Sequence, residues 1–351
     1  MKTFKIAVIP GDGIGVDVTM EGLKVLDKYE ELFDIKFEKT FFPWGCEYYL
    51  KHGKMMDDDG MDVLKNYDAI LLGAVGFPGV ADHVSLHGLL IKIRQGFDQY
   101  INLRPIKLLN KNYCPLKNKK EEDIDFVVIR ENVEGEYSNV GGIRNGDKAE
   151  GFALQTSVFT RKNTERVMKY AYDLAMERGK RLTSVTKSNA LNYSMVFWDT
   201  IFGELGQEYK EVETESIHVD ALSMYFVQKP EAYDVVVGSN LFGDIITDLG
   251  AALQGGLGFA ASANINPEKE YPSMFEPVHG SAPDIAGMGI ANPIAMIWTI
   301  KLMMDHLLPE LDNDIIVNAI KSVVDEGKVL TKDMGGNATT VEVAEAIVQR
   351  I

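Results

Sequence analysis

Cysteine is nearly absent: the 351 residues hold only Cys46 and Cys114. Two cysteines so far apart give no disulfide framework and no zinc-type pair. Long apolar runs are missing too. No uninterrupted stretch reaches the ~18–20 residues of a membrane span. The apolar run in the opening MKTFKIAVIPGDG is broken by Pro10 and Asp12, too short for a signal peptide, so cytoplasm is the expectation. Positive charge is in short supply, 36 Lys and Arg against 52 Asp and Glu, for a net charge of −16. That argues against nucleic-acid binding, which needs a basic face. An anionic substrate would need a local cationic pocket working against the overall field.

Hydrophobic residues at 46% are enough for a sizeable core, and the length suits about two domains of ~150 residues. Short apolar runs alternate with helical patterns. FKIAVIP reads as a strand leading into a helix that ends near Tyr29, and DIKFEKTFF and YDAILLGAV read as further strands. So do IDFVVIR, RLTSVT and YDVVVG, with helices expected over 161–178 and 189–206. This alternation predicts an α/β fold with a largely parallel sheet. NKNYCPLKNKKEED reads as a surface loop, and NVEGEYSNVGGIRNGDKAEG as a turn-rich arm or hairpin.

PGDGIG follows a strand and precedes a helix, but its glycines at 11, 13 and 15 fail the GxGxxG spacing. A standard Rossmann site is not supported. The segment SNLFGDIITDLGAALQGGLG reads as a helix whose only charges are Asp244 and Asp248. Four residues apart, they share a face and repel by roughly 0.2–0.5 kcal/mol. A divalent cation would reconcile them, since Mg²⁺ takes oxygen ligands; the alternative is an acid near a helix N-terminus. Asp220, where a strand meets a helix, reads first as an N-cap. Lys187 closes another strand, where ligands gather in open α/β sheets, although a lone Lys is more often solvated.

Arg94, Arg104 and Arg130 each offer a planar fork for a carboxylate. Singly each is a surface or salt-bridging residue; together they would make a dicarboxylate pocket. Tyr137 sits in a Gly-rich turn seven residues past Arg130. The stretch Glu276–Pro293 reads as a long loop able to hold a nucleotide by main-chain groups.

IPGDGIG, NLRP, VTKSN, NLFGDIITDLGAAL and FEPVHGSAPDIAGMGIANP, in this order, resemble the metal-dependent decarboxylating β-hydroxyacid dehydrogenases. That family includes isocitrate, 3-isopropylmalate, homoisocitrate, tartrate and D-malate dehydrogenases. PWGCEYYLKHGKMMDDDG and DHVSLHGLLIKIRQGFDQYINLRP look most like its tartrate/D-malate branch. The resemblance implies a two-domain, non-Rossmann, isopropylmalate dehydrogenase-like α/β fold with mixed and parallel strands. Residues 1–99 plus 258–351 would form one domain and 100–257 the second, which carries a homodimer interface.

The resemblance also implies roles. Asp244 and Asp248, with Asp220 across the dimer, match ligands of Mg²⁺ or Mn²⁺. Lys187, also from across the dimer, matches the base and Tyr137 the acid. Arg94, Arg104 and Arg130 match the substrate-carboxylate clamp. His279, Gly280, Ser281, Ala282, Asp284, Ile285 and Asn292 match the adenosine site, and Asp284 favours NAD over NADP by accepting the ribose hydroxyls. The implied reaction is oxidative decarboxylation of a 2-hydroxy dicarboxylate, D-malate to pyruvate and CO₂ first, tartrate next. Leu89 and Leu90, just ahead of Arg94, would line an alkyl pocket and keep 3-isopropylmalate as the alternative; His87 departs from the branch. A non-catalytic regulatory subunit is the reading from a different class, opposed by the full set of Tyr137, Lys187, Asp220, Asp244 and Asp248. A phosphate enzyme of the P-loop type is opposed by the lack of GxxxxGK[ST].

Overall fold

The computed structural model describes residues 2–351. The strands are β1 (Lys2–Gly11), β2 (Ile35–Phe41), β3 (Ala69–Ala74), β4 (Ile101–Lys107), β5 (Asp125–Glu131) and β6 (Gly135–Arg144). Then follow β7 (Phe152–Val158), β8 (Arg181–Thr186), β9 (Glu213–His218), β10 (Val235–Gly238), β11 (Ala261–Ile265) and β12 (Ser273–Pro277). The helices are α1 (Ile14–Leu32), α2 (Cys46–His52), α3 (Gly60–Leu64), α4 (Asp82–Ser85), α5 (Ile91–Gly96) and α6 (Arg161–Glu177). They continue with α7 (Ser194–Gly206), α8 (Val219–Gln228), α9 (Asn240–Gln254), α10 (Ile294–Leu307), α11 (Asp314–Glu326) and α12 (Thr340–Val348).

Ten strands form one sheet in the order β2-β1-β3-β12-β11-β4-β5-β10-β8-β9. Pairing is parallel except at β4–β5, β4–β11 and β11–β12, so the sheet is mixed and, as expected, largely parallel. Along β1 the side chains alternate between two cores, Ile6 and Val8 in one and Ala7 and Ile9 in the other, as the period of two requires. The central AILLGA of β3 is buried throughout, the pattern of a strand covered on both faces. At the edge, β9 (ETESIH) is mostly exposed, and its charges guard against edge-to-edge pairing. The polar arm is a separate hairpin, β6 with β7. Among the described residues no helix is long and apolar enough to cross a membrane.

Three local expectations need correction. Tyr137 lies in strand β6, not in a turn. Glu276 and Pro277 end strand β12, so the loop begins only at Val278. Asp220 sits in the first turn of α8, whose cap position is His218.

Candidate active site

Helix α9 follows β10 and lies against β4 and β5. A Cβ on Gly243 would meet Arg130 Cγ at 2.6 Å and Cβ at 2.7 Å. Only a glycine there lets the helix settle this close to β5, and that closeness brings Asp244 to the arginines. Arg130 donates through Nη1 to Asp244 Oδ1. Arg104 Nη2 stands 3.4 Å from the same oxygen, while its Nη1 donates to Thr247 Oγ1 at 2.5 Å. Tyr137 OH donates to Asp244 Oδ2 at 3.2 Å, and the Arg130 guanidinium lies 5.5 Å from the Tyr137 ring centroid.

The electrostatics follow from this crowding. Burial opposes ionisation of Asp244, but Arg130, Arg104 and Arg94 outweigh it and hold its carboxyl below the usual range. Burial, then the charge of Arg104, lowers Arg130. Burial and the Asp244 charge push the Tyr137 phenol up, so it is a protonated donor near neutral pH.

These side chains wall a cavity of about 210 Å³. Leu90, Arg94, Arg104, Arg130, Tyr137, Asp244, His279 and Gly280 all line it, as do Gly73, Ala74 and Val75 at the end of β3. The carboxyl ends of the parallel neighbours β3 and β12 therefore form one wall, the usual place for ligands in an open α/β sheet. The arginines gather as expected, but each already has a protein partner. Arg94 Nη2 donates to Glu276 Oε1 at 2.5 Å. Among the described residues, Nε of Arg94 and of Arg104 are buried without a hydrogen-bond partner.

Lys187 and Asp220 do not join this cavity. Lys187 Nζ donates to Asp220 Oδ1 at 2.6 Å, between the end of β8 and the start of α8. Asp220 is exposed, and Lys187 holds its carboxyl below the usual range. No group of three His, Cys, Asp or Glu among the described residues is arranged to hold a metal ion. Asp244 and Asp248 nevertheless offer hard oxygen donors from one helix face. Among the described residues Asp248 finds no hydrogen-bond or ion-pair partner, and partial desolvation and the Asp244 charge raise its carboxyl. A divalent cation fits this pair once another acid, substrate oxygens or water complete its shell.

The loop after β12 fits a nucleotide. His279 Nδ1 donates to the Gly280 carbonyl at 3.0 Å, and Nε2 is buried without a partner among the described residues. A Cβ on Gly280, Gly287 or Gly289 would meet nothing within 4 Å, so main chain lies open there. Asp284 is exposed, Ile285 half-buried, and Ala282 sits at φ +37°. Asn292 is buried; its Nδ2 donates to Asp333 and its Oδ1 accepts the Ile294 N–H. The PGDGIG turn proves to be the loop's support. The Ile14 N–H donates to the Ser281 carbonyl at 2.8 Å. A Cβ on Gly13, at φ +57°, would meet that carbonyl at 2.0 Å. Asp17 accepts the Gly287 N–H at 2.8 Å.

Several site residues escaped the sequence reading. Val75, Leu86, Ser262 and Glu276 line the cavity. Leu89 does not; it is fully buried in the core, and a π-helical turn over Leu86–Leu90 turns Leu86 and Leu90 toward the cavity instead. Asn240, too, was passed over, although it takes two hydrogen bonds from Arg130.

The family model described as isocitrate/isopropylmalate dehydrogenase matches residues 5–347. The chain is 52% identical to the probable tartrate dehydrogenase/decarboxylase of Bacillus subtilis (strain 168), over 100% of this chain and 99% of that one. It is 50% identical to the D-malate dehydrogenase [decarboxylating] of Escherichia coli (strain K12), covering 99% and 98% of the two chains. The crystal structure of isocitrate dehydrogenase from Methylococcus capsulatus superposes with a TM-score of 0.88 at 33% identity, covering 99% of each chain. The chain belongs to the isocitrate/isopropylmalate dehydrogenase family.

Proposed function

We propose that this protein catalyses NAD-dependent, divalent-metal-dependent oxidative decarboxylation of a 2-hydroxy dicarboxylate, D-malate to pyruvate and CO₂, with tartrate as a second substrate. The observation that carries it is the convergence of three buried guanidinium groups, Tyr137 and Asp244 on one small cavity. The D-malate and tartrate enzymes at about half identity supply the substrate class.

Mg²⁺ or Mn²⁺ held by Asp244 and Asp248 would supply Lewis acidity toward the hydroxyl oxygen, and NAD, held by the loop from His279 to Asn292, the hydride acceptor. The chain's own groups do the rest. Arg94, Arg104 and Arg130 bind and orient the two carboxylates. The partner subunit's Lys187 takes the proton of the C2 hydroxyl as the C2 hydrogen leaves as hydride. The resulting 3-carboxy ketone loses its C4 carboxylate as CO₂, and Tyr137 returns a proton to C3. Asp284 sets the preference for NAD.

The shared site rests on a homodimer. Large apolar side chains stand exposed on the hairpin (Ile143, Leu154), ahead of and in α7 (Tyr193, Val196) and on α8 (Met224, Val227); such side chains mark an interaction surface when they gather. Asp220 and Lys187 belong to the same outer region. The division into 1–99 plus 258–351 and 100–257 is part of this reading. One observation favours a second substrate: Val75, Leu86 and Leu90 give the cavity an apolar wall, which suits the alkyl branch of 3-isopropylmalate.

The test follows NADH formation by the purified protein with Mn²⁺, on D-malate, the tartrates, isocitrate and 3-isopropylmalate, with and without a chelator. Chelator-sensitive turnover fastest on D-malate is expected. Faster turnover of 3-isopropylmalate would overturn the substrate, and turnover untouched by the chelator would overturn the metal.

A further inference from the structure

Tyr137 stands on an unusual piece of strand. β6 pairs only with β7 and lies outside the main sheet. Even that ladder is interrupted: Gly135 pairs with Val158 and Val140 with Thr156, with a register shift between them. Residues 136–139 therefore lack regular ladder partners, and Asn139 sits at φ +55°. Backbone of this kind does not by itself fix a side chain to the ångström. Yet Tyr137 reaches across to Asp244.

The neighbouring residue supplies the missing restraint. Helix α9 begins after Ser239, whose side chain makes no capping bond to the helix. Its first N–H groups would otherwise lack acceptors. Glu136 fills the gap from the other element. Oε2 accepts the Leu241 N–H at 3.0 Å, and Oε1 accepts the Ser239 hydroxyl at 2.9 Å. A carboxylate at a helix N-terminus is also electrostatically favoured. Asn240 Nδ2 adds a bond to the Glu134 carbonyl at 3.2 Å. Side chains alternate along a strand, so Glu136 and Tyr137 leave it in different directions, and both end on α9.

We propose that Glu136 is a positioning residue: by capping α9 from β6 it holds the Tyr137 phenol against Asp244. The part concerning turnover rests on the acid role given to Tyr137 above; the part concerning Tyr137 order does not. A phenol that must deliver a proton to one carbon loses efficiency when it is displaced by about 1 Å, on the order of a hundredfold for such misplacements.

The test uses the full chain carrying 3-fluorotyrosine, with the Tyr137 resonance assigned by its loss in Tyr137→Phe. In Glu136→Ala that ¹⁹F signal is expected to narrow and move toward the position of free fluorotyrosine. In Glu136→Gln it stays, because the amide oxygen still accepts from Leu241 and the amide nitrogen donates to the Ser239 hydroxyl. With D-malate, Glu136→Ala is expected to lower kcat roughly ten- to hundredfold with the KM for NAD within about twofold, and Glu136→Gln to restore kcat to within about threefold. Circular dichroism of both variants confirms the fold. An unmoved signal in folded Glu136→Ala overturns the proposal, as does a Glu136→Gln variant as disordered at Tyr137 as the alanine. A protein inactive on every substrate but with the expected ¹⁹F changes would leave the positioning intact and strike only the functional reading.

Discussion

Arg130 and Asn240 are joined through one oxygen: Nη2 at 2.8 Å and Nε at 3.2 Å both donate to Asn240 Oδ1. The amide thus turns the guanidinium so that Nη1 faces Asp244. Asn240→Ala removes both bonds and leaves a buried cation short of acceptors, a cost of about 1.5–3 kcal/mol for a bond to a charged group. The expected outcome is a KM for D-malate raised at least tenfold. Steady-state kinetics checks it, and a KM within twofold of wild type would remove Asn240 from the orientation of Arg130.

Asp248→Asn separates a metal ligand from a structural acid. Removing one of two like charges four residues apart relieves about 0.2–0.5 kcal/mol of repulsion, so the chain should become slightly more stable. Mn²⁺ binding, read by titration calorimetry, should weaken at least tenfold and turnover should vanish. Unchanged Mn²⁺ affinity would contradict the assigned role.

Gly243→Ala tests the close approach of α9 to β5. Its Cβ would sit 2.6 Å from Arg130 Cγ and 3.2 Å from Arg130 Cα, so helix or arginine must shift. Overpacking of this kind costs about 1–3 kcal/mol. Urea unfolding should show that loss, accompanied by a drop in kcat/KM larger than a shift in stability alone would give. A variant as stable as wild type would mean that α9 moves freely against β5.

His306, in α10, predicts an acid limit to stability. Burial, then the charge of Lys269, pushes its imidazole down to about 4, whereas the unfolded ring titrates near 6.5. Above pH 6.5 the ring is neutral in both states. As the pH falls from 6.5 to 4 the unfolded chain takes up a proton that the folded chain refuses, so stability declines across that window and the decline from this group is complete below it. The loss approaches about 2–3 kcal/mol, counting ~1.4 per pH unit and discounting for partial exposure. Urea unfolding at pH 7 and pH 4.5 measures it. His306→Phe keeps a ring beside Phe275 and should lose less stability between the two; an equal loss in both proteins would acquit the histidine.

Much of the architecture was legible from local pattern. RLTSVT is strand β8 as read, and the helix over 161–178 ends one residue early, at Glu177. The helix expected from Asn189 starts only at Ser194. The strand read as meeting a helix at Asp220 is β9. Strands β4, β11 and β12 were not legible, ASANI and SMFEP being too short for hydrophobic alternation to announce them. Those strands matter most to the site, because β4, β11 and β12 carry Arg104, Ser262 and Glu276.

What the sequence determined by itself is whatever depends on near neighbours. The helical repeat puts Asp244 and Asp248 on one face, and the strand-ending Arg130 points to a ligand edge, because both follow from backbone periods fixed within a few residues. The tertiary structure alone decided the rest. Arg94 meets Glu276 across 182 positions, the Ile14 N–H supports the Ser281 carbonyl, and Leu86 replaces Leu89 at the cavity wall. Within one chain Lys187 pairs with Asp220, apart from Asp244. Such contacts depend on which strands become neighbours and on how helices seat against them, and packing settles that over distances that no local period encodes.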